Sequence, residues 1–291
     1  MVEVIEKQLE KPKEKDKQKK KFMIFGFSIW RLLAYFILYS VAGFLIETVF
    51  GLLTKGVLES RKSFLYGPFC AIYGVGAVIM IVALQKFRKN NFSLFVGGFV
   101  VGSIVEYLVS LIGEYLLHVK WWDYSSMPFN IDGRICVFFS LFWGALAIFL
   151  MTWVNPKMDH LIEKIKGKFS IKLLKTLTIA GIVFLFLDCL ITGFALRMFF
   201  TRLVYEYDIE LKDVASYHVD YTVFYQNDKI KDFVLKYFSD EKMLKTFPNL
   251  KVTGEDGHLI YVSDIIKDVQ PYYVRIFTPK KTEGMEIFEG M

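Results

Sequence analysis

Gly98-Phe99-Val100-Val101-Gly102-Ser103-Ile104-Val105-Glu106-Tyr107-Leu108-Val109-Ser110-Leu111-Ile112-Gly113 is an apolar run with a small or polar residue at about every fourth position. At helical spacing Gly98, Gly102, Glu106, Ser110 and Gly113 share one face, and bulkier apolar residues fill the others. Small residues in that register let two helices approach closely in lipid, where association depends on van der Waals fit. A carboxylate in the middle of the stripe must point into a bundle, because an unpaired charge in hydrocarbon costs about 2.5 kcal/mol at the least. The run therefore reads as a membrane-spanning helix with an acid on its inner face.

It sits within Phe92–Leu117, long enough to cross the roughly 30 Å hydrocarbon layer. Four further segments qualify: Leu32–Leu53, Tyr66–Leu84, Ile135–Val154 and Leu173–Phe200. The 291-residue chain is 54% hydrophobic with a mean hydropathy of +0.37, which suits a polytopic membrane protein better than a soluble domain of this length. The expected fold is an all-α polytopic membrane helical bundle of about five transmembrane helices with a small C-terminal α+β domain.

The first four segments repeat a pattern. Gly43-Phe44-Leu45-Ile46-Glu47 answers Gly102-Ser103-Ile104-Val105-Glu106, and Gly67-Pro68-Phe69-Cys70 answers Gly133-Arg134-Ile135-Cys136. Tyr39, Gly43, Glu47 and Gly51 share a helix face as their counterparts do. Two repeated helical hairpins, 32–86 and 92–154, are expected, parallel about an axis along the membrane normal. The second copy is longer by a loop, Trp121-Trp122-Asp123-Tyr124-Ser125 to Asn130, rich in the aromatic residues that membrane–water interfaces favour.

The rest of the chain divides by charge. Residues 1–21 alternate Lys with Glu and Asp and read as a disordered cytoplasmic tail. Residues 22–154 form the four-helix membrane core, and 155–172 read as a basic amphipathic segment on the cytoplasmic face. Residues 173–200 are the fifth span, and 201–291 the small C-terminal domain. There a helical pattern over Ile230–Phe247 breaks at Asp240. A hairpin follows from Lys251-Val252-Thr253 to Leu259-Ile260-Tyr261-Val262, turning at Glu255-Asp256-Gly257, and Tyr272–Phe277 is a third strand candidate. Lys and Arg concentrate in the tail, in Lys86–Lys89 and in Lys157–Lys175. The positive-inside rule then puts the N-terminus in the cytoplasm, the Trp121 loop outside and, after five spans, the C-terminus outside in a multi-pass cell-membrane protein.

Glu47 and Glu106 each need a cation, a proton or water, and Arg134 is the fixed cation that the sequence places near them. One Arg between two carboxylates leaves a deficit that a proton or an outside cation completes. The expected site comprises Glu47, Glu106, Arg134, Asp123, Trp121, Trp122, Tyr124, Tyr66 and Asn130, with Asp188 and Thr192 able to add to it. No catalytic residue is assigned and no cofactor is expected. The four histidines lack metal-ligand spacing, and the three cysteines lie in apolar runs as reduced thiols.

At these residues the chain resembles the ABC-transporter type IV family (CmpB-type), permease-like bacterial membrane proteins. The resemblance rests on Gly43-Phe44-Leu45-Ile46-Glu47-Thr48-Val49, Phe64-Leu65-Tyr66-Gly67-Pro68-Phe69-Cys70-Ala71-Ile72-Tyr73-Gly74, Val105-Glu106-Tyr107, Trp121–Ser125 and Phe129–Cys136. It implies a transport protein whose ATPase is a separate subunit, since Gly51-Leu52-Leu53-Thr54-Lys55-Gly56-Val57 lacks the Lys after the second Gly that a phosphate loop requires. The expected partners are that cytoplasmic ATPase and membrane lipids, with self-association open and no nucleic acid. Two alternatives stay open: a membrane-embedded enzyme acting on a lipid or lipid-linked substrate, and a non-catalytic sensor or scaffold working through residues 201–291.

Overall fold

The computed structural model describes residues 23–117, 122–211, 214–255, 257–267, 269 and 273–278. The lysine-rich tail, Trp121, Asp256 and Tyr272 lie outside the described residues. A short hairpin, β1 (Met23–Ile24) with β2 (Phe27–Ser28), leads into α1 (Ile29–Lys55), where the Ser28 hydroxyl accepts from the Arg31 N–H. Gly56 ends α1 in the left-handed conformation that glycine adopts without strain, and its N–H bonds to the Leu52 carbonyl.

Among the described residues, four helices are long and apolar enough to cross a membrane: α1, α3 (Asn91–Leu117), the continuous run Val137–Lys168 and α6 (Ile171–Tyr205). The second expected span differs. Its helix, α2, covers only Ala71–Leu84 and continues as a tighter turn to Phe87, while Tyr66–Cys70 is a non-helical, bent stretch. Backbone that is not helical survives at membrane depth only where protein groups satisfy it. Here Thr192 Oγ1 accepts from the Leu65 N–H at 2.9 Å, the Asp188 carboxylate from the Tyr66 N–H at 3.2 Å, and the Ser40 carbonyl from the Cys70 N–H. Asp188 and Thr192 thus hold this stretch against α6.

The fourth span, α4 (Val137–Phe149), passes through a π-helical turn at Leu150–Val154 into the basic segment α5 (Asn155–Lys168). That segment is not a detached surface helix. It runs back along the start of α1, pairing Asp159 with Arg31 at 2.6 Å and with the Tyr35 hydroxyl, and Asn155 with the Tyr39 hydroxyl at 3.1 Å.

The 35 residues of α6 extend about 52 Å at 1.5 Å per residue, well beyond the hydrocarbon layer. The helix continues through residue 200 to Tyr205, and its last turns are the core of the C-terminal part. Phe199, Phe200 and Leu203 are buried there against Tyr217, Met243 and Val252. Around them lie α7 (Val214–Asp220), α8 (Asp228–Tyr237), α9 (Asp240–Thr246) and the antiparallel hairpin of Lys251–Thr253 and Leu259–Tyr261. The third strand, Tyr273–Arg275, does not extend that hairpin. It pairs with β3 (Val57–Glu59), the strand that follows α1, and so ties this cap to the membrane bundle.

Arg202 fixes the cap to its helix. Its side chain is 1% exposed, donating to Asp240 Oδ1 at 2.7 Å, to the Tyr225 hydroxyl at 2.9 Å and to the Phe238 carbonyl at 2.7 Å. The Tyr207 hydroxyl also donates to Asp240, and burial, then that carboxylate, push its phenol up to about 12, so it stays a donor. Stripping one partner from a buried ion pair costs about 3–5 kcal/mol. Arg202→Met is expected to cost a similar amount and to loosen the cap, read as faster proteolysis beyond residue 205 in detergent-solubilised protein.

Candidate functional site

The site is built from a gap in a helix. Gly102 on α3 faces Trp143 on α4 so closely that an added Cβ would fall 2.5 Å from the Trp143 Cβ. The indole can therefore reach along α3 to the next turn, where its Nε1–H donates to Glu106 Oε2 at 2.9 Å. Glu106 Oε1 accepts from the Tyr124 hydroxyl at 2.9 Å. The carboxylate is 5% exposed, and both donors are neutral. Neutral donors offset part of the cost of burying a charge, but charged partners bind a carboxylate roughly twice as strongly. A residual demand for positive charge remains at Glu106.

Tyr124 arrives there by the folding of its loop. Its ring stacks on Phe139 of α4 at 4.6 Å, and its N–H bonds to the Gly133 carbonyl. Asn130 closes the loop, donating to the Met127 and Ser125 carbonyls and accepting from the Gly133 N–H. Asp123 accepts from the Ser125 N–H and hydroxyl. Gly133 has φ +64°, and a Cβ on it would fall 2.5 Å from Asp123 Oδ1, so the turn needs glycine twice over. Burial, then the Glu106 carboxylate, push the Tyr124 phenol up, which keeps it a donor.

Arg134 does not serve Glu47 and Glu106 as expected. Its guanidinium pairs with Glu114 at 2.5 Å and lies over the Tyr107 ring, while its carbonyl accepts from Trp122 Nε1. Glu114 lies two turns beyond Glu106, with Ser110 midway. Ser110 is 2% exposed, and among the described residues neither its Oγ nor the buried Nε of Arg134 has a hydrogen-bond partner.

Glu47 sits in a matching arrangement: Tyr73 of α2 packs on Gly43, and its hydroxyl donates to Glu47 at 2.6 Å. Lys55 is within electrostatic range of Glu47, and Arg61 within range of Tyr73. Arg61 is thus a cation that the sequence reading did not weigh. Tyr66 stands apart from both acids, its ring and hydroxyl meeting Lys242 of α9 and its N–H meeting Asp188. Of the expected set, Glu106, Tyr124, Asp123, Asn130, Trp122 and Arg134 belong to one neighbourhood joined by the loop, and Glu47 and Tyr66 to others. Trp143, Tyr73 and Glu114 were missed. Each is a polar-edged or charged residue inside an apolar run, the same signal that had singled out Glu106.

Leaving a buried hydrogen-bonding group without its partner costs about 1–3 kcal/mol. Trp143→Phe is expected to destabilise the detergent-solubilised protein by that amount. The loss should shrink in a Glu106→Leu background, where no acceptor is left, as a double-mutant cycle of unfolding free energies would read.

No curated protein and no solved structure matches the chain. A family model described as Putative ABC-transporter type IV matches residues 34–193. The match runs from within α1 to within α6 and takes in both glutamates and the aromatic loop. It spans more than half of the chain, and on that match the protein belongs to this family of ABC-transporter-type membrane proteins.

Proposed function

We propose that the chain is the membrane subunit of an ABC-type transporter and that its polar site is centred on Glu106, where a proton or a cationic group is taken up. The carrying observation is a carboxylate buried in a spanning helix and held, among the described residues, by two neutral donors. The unpartnered Ser110 Oγ one turn along and the Arg134 Nε in the adjoining loop supply further polar contacts for a ligand that enters past Tyr124. In this reading the loop gates access, because Tyr124 must leave Glu106 for a larger group to reach it. Glu47, held by the Tyr73 hydroxyl with Lys55 in electrostatic range, is a structural acid in this reading. The N-terminus lies in the cytoplasm, and the ATPase is a separate subunit bound there.

Purification from native membranes is expected to bring along an ATPase carrying a phosphate-binding loop, identified by mass spectrometry; its reproducible absence would count against a transporter subunit. A hydrophobic carbodiimide, which reacts with protonated carboxyls in apolar surroundings, is expected to label Glu106 but not Glu114, which is paired with Arg134. Labelling confined to Glu114, or none at either acid, would sink the assignment of Glu106 as the uptake site.

A further inference from the structure

At the opposite end of the bundle from the cap, α1, α5 and α6 do not close on one another. They leave an apolar cavity of about 220 Å³, lined by Trp30, Ala34 and Ile37 of α1, Ile165 of α5, and Leu174 and Leu177 of α6. The one side-chain polar pair at its wall, Trp30 Nε1–H to Thr178 Oγ1 at 3.0 Å, is already satisfied. Leu177 is 59% exposed and stands at the rim, so the cavity opens sideways as a groove. Its long direction follows α1 from Trp30 towards Ile37, about 10 Å at the helical rise. It begins beside the turn at Phe169–Ser170, where α5 ends and α6 starts. Lys164, Lys166 and Lys168 precede that turn and Lys172 and Lys175 follow it, against the single acid Glu163, which bonds Lys166.

An apolar trough that runs into the bilayer from a ring of lysines matches a phospholipid with an anionic headgroup. We propose that this groove binds one such lipid, with an acyl chain along Trp30, Ala34 and Ile37 and the phosphate among Lys166, Lys168 and Lys172. Bound there, the lipid completes the contact between α5 and α6 that protein side chains leave open. The site is separate from Glu106 and does not depend on the transport reading.

The test is lipid retention after purification of the full chain from nanodiscs holding equal phosphatidylglycerol and phosphatidylcholine, read by native mass spectrometry. Wild type is expected to keep one phosphatidylglycerol in preference. The Lys166→Gln/Lys168→Gln/Lys172→Gln variant, changed only at solvent-accessible lysines, is expected to keep lipid with the preference reduced roughly fivefold or more. Leu177→Trp, which fills the rim, is expected to lose the lipid. Glycerol phosphate, the same charge without chains, should not displace it; displacement would mean a phosphate site rather than a lipid site. Retention of no phospholipid by wild type, an undiminished preference in the lysine variant, or unchanged retention in Leu177→Trp would each overturn the proposal.

Discussion

In hydrocarbon two helices meet as closely as their smallest residues allow, and Gly102 sets that distance for α3 and α4. Everything at the candidate site depends on it. With a side chain at 102 the Trp143 indole could not lie flat on α3, and its N–H would fall away from Glu106. The carboxylate would then sit in an apolar slot with the Tyr124 hydroxyl alone, and Ser103 and Ser140, hydrogen-bonded at 2.7 Å between the same two helices, would be drawn apart. Gly43 does the same for α1 and α2, placing Tyr73 where its hydroxyl meets Glu47. One steric rule, applied twice, puts an aromatic donor beside each acid.

The two acids nevertheless differ, and the difference lies in where cations end up. The first has Lys55 in electrostatic range, while Arg61, in range of its donor Tyr73, pairs with Glu59. The second has Arg134 nearby in sequence, but Glu114 takes that charge. The long loop adds a phenol to Glu106 instead of a cation. Tyr124 lies flat on Phe139, a residue with no hydroxyl of its own, and so delivers to Glu106 the kind of donor that Tyr73 gives Glu47 from within its helix.

Much of this architecture was legible in the chain. The apolar runs around Glu47 and Glu106, the small-residue stripes and the hairpin at Lys251–Tyr261 follow from periodicity and composition, which are local properties. What was not legible depends on partners distant in sequence. Tyr66–Leu84 is apolar enough to read as a span, but Asp188 and Thr192, more than a hundred residues away, and the Ser40 carbonyl hold the backbone of Leu65–Cys70 out of a helix. Tyr273–Arg275 has a strand pattern that cannot say which edge it joins, and it joins Val57–Glu59. Charge balance along the sequence points Arg134 at Glu106, whereas Glu114 is the acid its guanidinium reaches.

α6 carries the stretch Leu65–Tyr66 near its middle and the cap on its last turns, with no break between. A helix without a hinge behaves as a stiff rod. Arg202 grips the cap about 21 Å along that rod from Asp188, which grips the non-helical stretch before α2. A tilt imposed on the cap is therefore delivered to the entrance of α2, beside Tyr73 and Glu47, as the motion of a lever and not as a diffuse relaxation.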